Sequence, residues 1–286
     1  MAGERPPPEL EAERGPGAST DHRRLARREE HHAGSPVQGV RAPARTVEIE
    51  KPAPGPGEVL LKISASGLCH SDEVVMSFPE EGYPYPMPMT PGHEPAGVVD
   101  ELGEAATGVE VGDSVIVYGC WGCVVCTMCA DGREQLCLRG MVSPGLGRDG
   151  AMAEYMVVDT PRHLAPIGDL DPVRAASLTD AALTPYEAIK QVLPHLTGGS
   201  TAVVIGAGGH GHVAIQLLRV LMSARIIALD VGEEKLAFAK QMGAHETLES
   251  NADAAGKIKE LTGDVGADVV FDFVGIDPTG RPRRVP

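Results

Sequence analysis

Thr-Ala-Val-Val-Ile-Gly-Ala-Gly-Gly-His-Gly occupies residues 201–211 and decides the fold of the second half of the chain. Its apolar start predicts a buried strand, and the glycines that follow predict a tight turn into a helix. A second apolar strand, Arg225–Leu229, comes next and ends in Asp230. The intervening helix has an apolar face formed by Val213, Ile215, Leu217, Leu218 and Leu221. This order predicts a doubly wound parallel α/β domain, whereas the glycine motif alone would be a weak signal.

The glycines of this motif, Gly206, Gly208 and Gly211, predict a site for a nicotinamide dinucleotide. Glycines let the pyrophosphate approach the backbone at the helix N-terminus, where the partial positive charge favours it. Asp230 lies nineteen residues beyond Gly211, the spacing at which a carboxylate hydrogen-bonds the adenosine ribose and repels a 2′-phosphate. We therefore expect NAD rather than NADP. His210, inside the motif, is either a helix-surface residue or part of an altered cofactor wall.

Two short motifs in the first half contain candidate metal ligands. Cys69 lies in Gly-Leu-Cys-His-Ser-Asp, residues 67–72, and His93 lies in Gly-His-Glu, residues 92–94. Zinc prefers thiolate and imidazole donors, and a catalytic zinc needs only three protein ligands. We interpret Cys69 and His93 as two of them. For two isolated residues, a small buried cysteine and an unrelated histidine would be the more common explanation.

A cysteine cluster with the spacing C-x2-C-x2-C-x7-C is formed by Cys123, Cys126, Cys129 and Cys137. Four thiolates gathered by one lobe make a closed tetrahedral zinc site, which is a structural arrangement. Cys120 gives an alternative run, C-x2-C-x2-C, that resembles iron–sulfur ligation. Such a run continues with a fourth cysteine after three residues and then proline, which this sequence lacks. We therefore assign the zinc to the four cysteines and leave Cys120 outside the cluster.

Composition limits the class of protein. A chain of 286 residues is long enough for roughly two domains with their own cores. Its net charge of -15 disfavours nucleic acid and anionic membranes as partners. No apolar run approaches the ~20 residues of a membrane span, and no secretory signal opens the sequence, so we expect a cytoplasmic protein. Clustered cysteines in such a chain favour metal binding over disulfides.

The composition also changes along the chain and predicts three segments. Residues 1–45 are dominated by Arg, Glu, Pro, Gly and Ala, and we expect a disordered tail because they bury too little apolar surface. A Pro-Gly-Pro-Gly turn and short strands over Glu58–Ser64, Ala96–Leu102 and Val115–Tyr118 predict a β-rich domain over residues 46–195. Residues 196–286 contain the dinucleotide-binding pattern.

The segment Gly92–Ala106 resembles the zinc signature of the medium-chain zinc-dependent alcohol dehydrogenases. Further stretches that agree with this family are the turn at residues 54–58, the loop Cys69–Asp72, Gly112-Asp113, the cysteine cluster and the glycine motif. The resemblance implies a GroES-like catalytic domain and a Rossmann domain. It also implies an oxidoreductase with two zinc ions per chain that transfers hydride reversibly from a primary or secondary alcohol to NAD+.

The resemblance also implies a third ligand for the catalytic zinc. This is Asp180, at a position where many relatives have cysteine and some bacterial ones have aspartate, and carboxylates do bind zinc. From the residues alone, Asp180 is more naturally the N-cap of a helix over Ala181–Leu193. The sequence therefore leaves two roles open for Asp180, zinc ligand and helix N-cap.

Residues beside the ligands have supporting roles by the same resemblance. Glu94 would lie next to the metal or bind it transiently, and Asp72 would accept the second ring N–H of His93. Ser71 would take the alcohol proton, although by itself it is an ordinary loop serine. His70 is expected near the pyrophosphate and Val274 is expected to contact the cofactor. At the position of His210, relatives tend to have an aliphatic residue.

Both ends of the chain depart from the family pattern. Glu233–Met242 and Ala252–Thr262 predict helices, and Val269–Gly275 predicts the fourth strand of a sheet that normally has six, in the order 3-2-1-4-5-6. We therefore expect a truncated, incomplete Rossmann domain whose fourth strand is an exposed edge, after an atypical N-terminus. The chain alone is then expected to be poorly stable and weakly active or inactive.

Three function classes follow from the sequence. The first is the dehydrogenase, expected to form a dimer or tetramer if complete and to act on a small alcohol, aldehyde or ketone. The second is a truncated, inactive zinc-binding fragment of such an enzyme. The third, a zinc-dependent nucleic-acid module, is disfavoured by the acidic charge, since only Arg133 and Arg139 accompany the cysteine cluster.

Overall fold

A computed structural model describes residues 31–36, 45–77, 81, 85 and 87–276 of the chain. An antiparallel β-rich part is followed by a parallel α/β part, so the predicted fold class is confirmed. Residues 1–30, most of the predicted tail, lie outside the described residues.

The β-rich part is built around an antiparallel sheet. Its described strands are β1 His31–Gly34, β2 Val47–Glu50, β3 Val59–Gly67, β4 Glu94–Leu102, β5 Ser114–Val117, β6 Ser143–Pro144, β7 Gly147–Arg148, β8 Tyr155–Val158 and β9 Leu164–Pro166. Its described helices are α1 His70–Ser77, α2 Thr127–Ala130, α3 Pro172–Ala175 and α4 Leu183–Val192. The main sheet has five strands in the order β8-β3-β4-β5-β9. Strands β3, β4 and β5 confirm the three strands predicted from alternating and apolar runs.

One apolar core supports this sheet. Its buried residues include Val59, Leu61, Val99, Val115, Val117, Trp121, Met156 and Val158. Full burial of a side chain such as Leu61 contributes about 1.5–3 kcal/mol. The core therefore fixes the positions of β3 and β4, from whose ends the candidate ligands extend.

The pairing of β3 with β4 brings the two metal-ligand motifs together. Their register pairs Gly67, at the end of β3, with Glu94, at the start of β4. Cys69 lies two residues beyond Gly67, and His93 lies one residue before Glu94. Antiparallel pairing therefore places the thiol beside the imidazole. Position 67 requires glycine, because an added Cβ would lie 1.8 Å from Oε2 of Glu94.

The α/β part contains a parallel sheet. Its strands and helices are β10 Thr201–Ile205, α5 Gly211–Leu221, β11 Arg225–Asp230, α6 Glu233–Gln241, β12 Glu246–Glu249, α7 Ala254–Leu261 and β13 Val269–Asp272. The described strands have the order β12-β11-β10-β13, all parallel, which is 3-2-1-4 in chain order. The helices and the fourth strand predicted at the end of the chain are confirmed, with ends that differ by up to three residues. Among the described helices, none has the length and apolar character needed to cross a bilayer.

The predicted disordered tail needs a correction at His31–Gly34. These residues form β1, which pairs with β2 in antiparallel register from His31–Glu50 to Gly34–Val47. The backbone also bonds to the main domain, because Ser35 N donates to Met152 O at 2.8 Å and Glu154 N donates to Ala33 O at 2.9 Å. Composition missed this strand because backbone pairing needs few apolar side chains. The other residues of the predicted tail before Arg45, apart from 35 and 36, lie outside the described residues.

Candidate active site and metal centres

The candidate catalytic ligands meet around His93. One ligand atom each from Cys69, His93, Glu94 and Asp180 lies within 4.8 Å of the others. His93 and Glu94 are buried, whereas Cys69 and Asp180 are partly exposed. The sequence interpretation had placed three of these residues in one site by resemblance and Glu94 beside it. The structure brings all four together.

Asp72 holds the two ligand loops in place. It is 1% exposed, and its Oδ1 accepts hydrogen bonds from His93 Nδ1 at 3.2 Å and from Gly92 N at 3.3 Å. Its Oδ2 accepts from Cys69 N at 3.0 Å. Burial alone would raise the pKa of Asp72, but the hydrogen bonds from His93 and the two N–H groups keep it below the ordinary value. With Nδ1 donating to Asp72, His93 directs Nε2 toward the carboxylate of Asp180.

The charges around His93 favour a cation. Burial on its own would lower the pKa of His93, but contacts with Asp180, Asp72 and Cys69 raise it to about 11. The pKa of Asp180 falls to about 2, chiefly through His93 and despite burial. Burial and the neighbouring Asp180 raise the pKa of Glu94. Sulfur, nitrogen and carboxylate donors that together favour positive charge fit a zinc ion.

The position of Asp180 distinguishes between its two alternative roles, zinc ligand and helix N-cap. Its Oδ2 is 3.5 Å from His93 Nε2, and its Oδ1 accepts a hydrogen bond from the Thr184 hydroxyl at 3.0 Å. Helix α4 begins at Leu183, and its N-cap position belongs to Ala182. The geometry therefore supports Asp180 as a donor in the cluster over Asp180 as the helix cap.

The four cysteines of the lobe form a second group of donors, with Sγ atoms within 4.8 Å of one another. Cys129 Sγ lies 3.4 Å from Cys126 Sγ and 4.0 Å from Cys123 Sγ. A tetrahedral zinc with bonds of about 2.3 Å places its sulfurs about 3.8 Å apart, so these distances fit that ion. Cys120 lies outside this group, and all six cysteines are free thiols.

Backbone N–H groups favour the thiolate at two of these sulfurs, those of Cys126 and Cys137, whereas burial raises the pKa of Cys129 to about 12. Hydrogen bonds from the N–H groups of Cys129 and Leu138 lower the pKa of Cys126 to about 6. Similar bonds from Cys123 and Arg139 lower the pKa of Cys137. N–H donors aimed at sulfur favour the thiolate, which is the form that binds metal.

The glycine motif makes a close turn between β10 and α5. Gly206 has φ +89, and a Cβ on Gly211 would lie 1.6 Å from the carbonyl oxygen of Gly206. Gly208, by contrast, has open space around it. Asp230 is 7% exposed and holds the turn, because its Oδ2 accepts from Ala207 N at 2.7 Å. The turn can therefore approach a pyrophosphate closely, as the motif predicts.

The other predicted site residues lie at the edges of these groups. The Ser71 hydroxyl is 3.7 Å from Cys69 Sγ. His70 is 80% exposed, and its Nδ1 lies 3.2 Å from a carboxylate oxygen of Glu73. Val274 follows β13 and is 46% exposed, with a methyl group 2.6 Å from the position of a Cβ on Gly206. Val274 therefore lies beside the glycine turn, and His70 begins α1 directly after Cys69, where the sequence had predicted a loop.

Two protein-family models match parts of this chain. Residues 55–169 match the alcohol dehydrogenase GroES-like domain. Residues 209–281 match the zinc-binding dehydrogenase family. The first range falls inside the predicted domain 46–195 and the second inside the predicted domain 196–286.

Individual relatives agree with these matches. An NAD-dependent alcohol dehydrogenase of Sulfurisphaera tokodaii is 37% identical over 248 residues, which cover 83% of this chain and 70% of the relative. A D-arabinose 1-dehydrogenase (NADP(+)) of Saccharolobus solfataricus is 35% identical over 240 residues, covering 83% and 68% respectively. The chain belongs to the zinc-dependent medium-chain alcohol dehydrogenase family. The crystal structure of an alcohol dehydrogenase from Aeropyrum pernix has a TM-score of 0.79 and 32% identity, over 86% of this chain and 73% of that one.

Membership of the alcohol dehydrogenase family confirms the predicted GroES-like and Rossmann-like parts. It also confirms zinc and NAD as the cofactors to expect.

Sequence reasoning missed several contacts around these sites. Lys235 Nζ is 3.5 Å from Asp230 Oδ1, so a cation stands beside the predicted ribose ligand. Arg162 donates to Cys129 O at 3.1 Å and pairs with the buried Glu134, which ties the cysteine lobe to the domain. A lysine five residues after Asp230 was visible in the sequence. The pairing of Arg162 with Glu134 had no local signal, because 28 positions separate the two residues.

Proposed function

We propose that this chain contains the site for reversible hydride transfer between a primary or secondary alcohol and NAD+ at a zinc ion, with the weak turnover that the sequence leads us to expect of the chain alone. The observation that carries the proposal is the mixed group of Cys69, His93, Glu94 and Asp180, held beside the glycine turn. The residue after Asp180 touches that turn, since His210 Nδ1 is 3.4 Å from Ala181 O. The metal-binding group and the dinucleotide turn are in contact. This arrangement favours hydride transfer at a metal ion over a protein that only binds metal or only binds a dinucleotide.

Cys69, His93 and Asp180 would hold the catalytic zinc, with Glu94 as a nearby fourth donor. Three protein ligands would leave the fourth coordination position of the zinc for substrate. Glu94 would either bind at that position or leave it free. When bound, zinc supplies a Lewis acid that lowers the pKa of an alcohol O–H, and NAD+ supplies the hydride acceptor.

Asp72 and Ser71 support the reaction without binding metal. Asp72 fixes the ring of His93 and the backbone of Cys69, so that both donors face the same point. The Ser71 hydroxyl lies at the exposed edge of the group, 3.7 Å from Cys69 Sγ, where it would accept the alcohol proton and pass it to solvent.

The four cysteines of the lobe would hold a second zinc, giving two per chain. Sulfur donors on all four sides leave no position for substrate, so this site takes no part in the reaction. Its role would be to order the segment 123–137, whose large apolar side chains Val124, Val125 and Leu136 are exposed and contribute little burial.

NAD is the preferred cofactor in this proposal. The carboxylate of Asp230 lies at the end of β11 against the glycine turn, and it would hydrogen-bond the ribose hydroxyls and repel a 2′-phosphate. His70 would face the pyrophosphate and Val274 would contact the cofactor. The relative from Saccharolobus solfataricus is a D-arabinose 1-dehydrogenase (NADP(+)), and the test below therefore compares NAD+ with NADP+.

The proposal also includes predictions about the substrate, the oligomeric state, the location and the partners of the protein. The substrate would be a small alcohol, aldehyde or ketone, and the enzyme is expected to be a cytoplasmic homo-oligomer. Nucleic acid and membrane are not expected partners, given the net charge of -15.

The test uses the purified 286-residue chain with zinc. NADH formation would be followed with NAD+ or NADP+ and a panel of primary alcohols, secondary alcohols and pentoses, with NADH binding titrated in parallel. Alcohol-dependent NADH formation that is lost in Cys69→Ser and kept in Cys120→Ser supports the proposal. Bound zinc, whether one ion or two, without NADH binding or turnover would contradict it and would indicate the truncated, inactive zinc-binding fragment.

A further inference from the structure

His210 lies where the glycine turn meets the metal-ligand group. It precedes α5 directly, and its Nδ1 is 3.4 Å from the carbonyl oxygen of Ala181, the residue after Asp180. A carbonyl oxygen can only accept, so Nδ1 must carry the hydrogen in this contact. One side chain on the cofactor turn therefore bonds to the backbone of the turn that presents a metal donor.

A third segment packs against the same ring. The His210 ring is 6.0 Å from the ring of Phe273, which follows β13. Phe273 is fixed in turn, because its N–H donates to Ile205 O at the end of β10 at 3.0 Å. The imidazole is thus held between the end of the parallel sheet and the turn before α4. A free helix-surface histidine would have neither contact.

We propose that His210 is a positioning residue that couples metal occupancy to dinucleotide binding, by tying the Asp180 turn to the glycine turn through its Nδ1–H bond to Ala181. The proposal rests on the proposed function, because it assumes that zinc and NAD bind at these two places. A metal ion that holds Asp180 also fixes the Ala181 carbonyl, which fixes His210 and the neighbouring backbone N–H groups. Such coupling is reciprocal, so the dinucleotide must strengthen metal binding by the same factor.

The expected coupling is modest. One neutral hydrogen bond contributes a net amount that corresponds to about a twofold to tenfold change in an equilibrium constant. NADH should therefore bind about that much more tightly when the catalytic metal is present.

His212 provides a matched control. It lies two residues further along, and its Nδ1 is 2.8 Å from Gly208 O, while its ring is 5.5 Å from that of Phe238 on α6. It thus has the same chemistry at a nearby position, in the first turn of α5, but its contacts stay within the α/β part.

The experiment measures the dissociation constant of NADH for the full chain in two metal states. One state has both zinc ions, and the other has lost the more labile zinc to a chelator, with the zinc content measured for each. Wild type should bind NADH more tightly in the first state. His210→Phe keeps a ring but no donor and should bring the ratio to one, whereas His210→Asn, whose amide N–H can replace Nδ1–H, should restore it. His212→Phe should keep the wild-type ratio.

The outcomes separate this proposal from the one on which it rests. If the wild-type chain binds no NADH in either state, the proposed function itself fails. If it binds NADH equally in both states, or if His210→Phe keeps the wild-type ratio, the dehydrogenase proposal stands and the coupling role of His210 is refuted.

Discussion

The cysteine lobe draws its four donors from residues 123–137, whereas the catalytic group draws Cys69, His93 and Asp180 from three separate segments. The lobe uses sulfur alone, and backbone N–H groups favour the thiolate at two of its sulfurs. The catalytic group mixes sulfur, nitrogen and oxygen, and a buried carboxylate, Asp72, orients it. Four thiolates would close the first site, whereas three protein ligands would leave a position for substrate at the second.

This difference shows how the two kinds of metal site are specified. Short spacing within one loop is enough to gather four thiolates, so the lobe depends little on the rest of the fold. The catalytic group exists only because β3 pairs with β4 and the turn before α4 packs against their ends. We therefore expect substitutions in the cysteine lobe to lower stability, and substitutions in the catalytic group to lower activity.

The largest effect is expected from Asp180→Asn. Removing one charged ligand should lower kcat/KM by more than about a hundredfold, since changes to residues that merely orient a ligand already cost about 10–100-fold. The zinc of the cysteine lobe should remain. Asp171→Asn is the matched control, because Asp171 only caps α3 by accepting from Val173 N at 3.0 Å. Steady-state kinetics on both variants check this, and an Asp180→Asn enzyme with wild-type kcat/KM would remove Asp180 from the site.

Cys129→Ser should affect stability more than chemistry. Cys129 is 0% exposed, and losing a metal ion present at about a thousandfold its Kd lowers the free energy of unfolding by about 4 kcal/mol. Denaturant unfolding of Cys129→Ser, with Cys120→Ser as control, measures this loss. Equal stability of the two variants would argue that no metal orders the lobe.

Gly67→Ala tests the junction of β3 and β4. The new Cβ would overlap Glu94, and such overpacking typically costs about 1–3 kcal/mol. Gly119→Ala is the comparison, because its Cβ would meet the carbonyl oxygen of His93 at an ordinary 3.8 Å. Thermal unfolding should separate the two variants, and a neutral Gly67→Ala would mean that Glu94 is free to move away.

Arg162→Met should have the smallest effect. Arg162 is partly exposed but Glu134 is buried, so losing their pair should cost about 1–2 kcal/mol, more than an exposed pair and less than a fully buried one, and the bond to Cys129 O adds little more. The comparison of Arg162→Met, Glu134→Gln and the double variant by denaturant unfolding isolates the pair. Strictly additive effects would show that this contact does not stabilise the lobe.

Local patterns predicted much of this molecule from the sequence. The glycine motif with its flanking strands gave the parallel α/β part, and the cysteine spacing gave the group that the structure brings together. Both signals lie within a few consecutive residues, where geometry follows from spacing.

The remaining features depend on tertiary contacts. Asp180 could be linked to Cys69 and His93 only by resemblance, because no spacing rule relates residues on separate segments. The strand His31–Gly34 was missed because it is held by backbone bonds to Met152 and Glu154. The contact of His210 with Ala181 was invisible for the same reason, since the two residues meet only when the two parts of the chain pack together.

The central claim is that the chain has two independent metal sites, and zinc content tests it most directly. The measurement compares zinc per chain in purified wild type, Cys69→Ser and Cys137→Ser. We expect two zinc ions in wild type and one in each variant, with turnover lost only in Cys69→Ser among proteins that remain folded. If Cys69→Ser kept two zinc ions, or if Cys137→Ser lost both, the separation of a catalytic from a structural site would be contradicted.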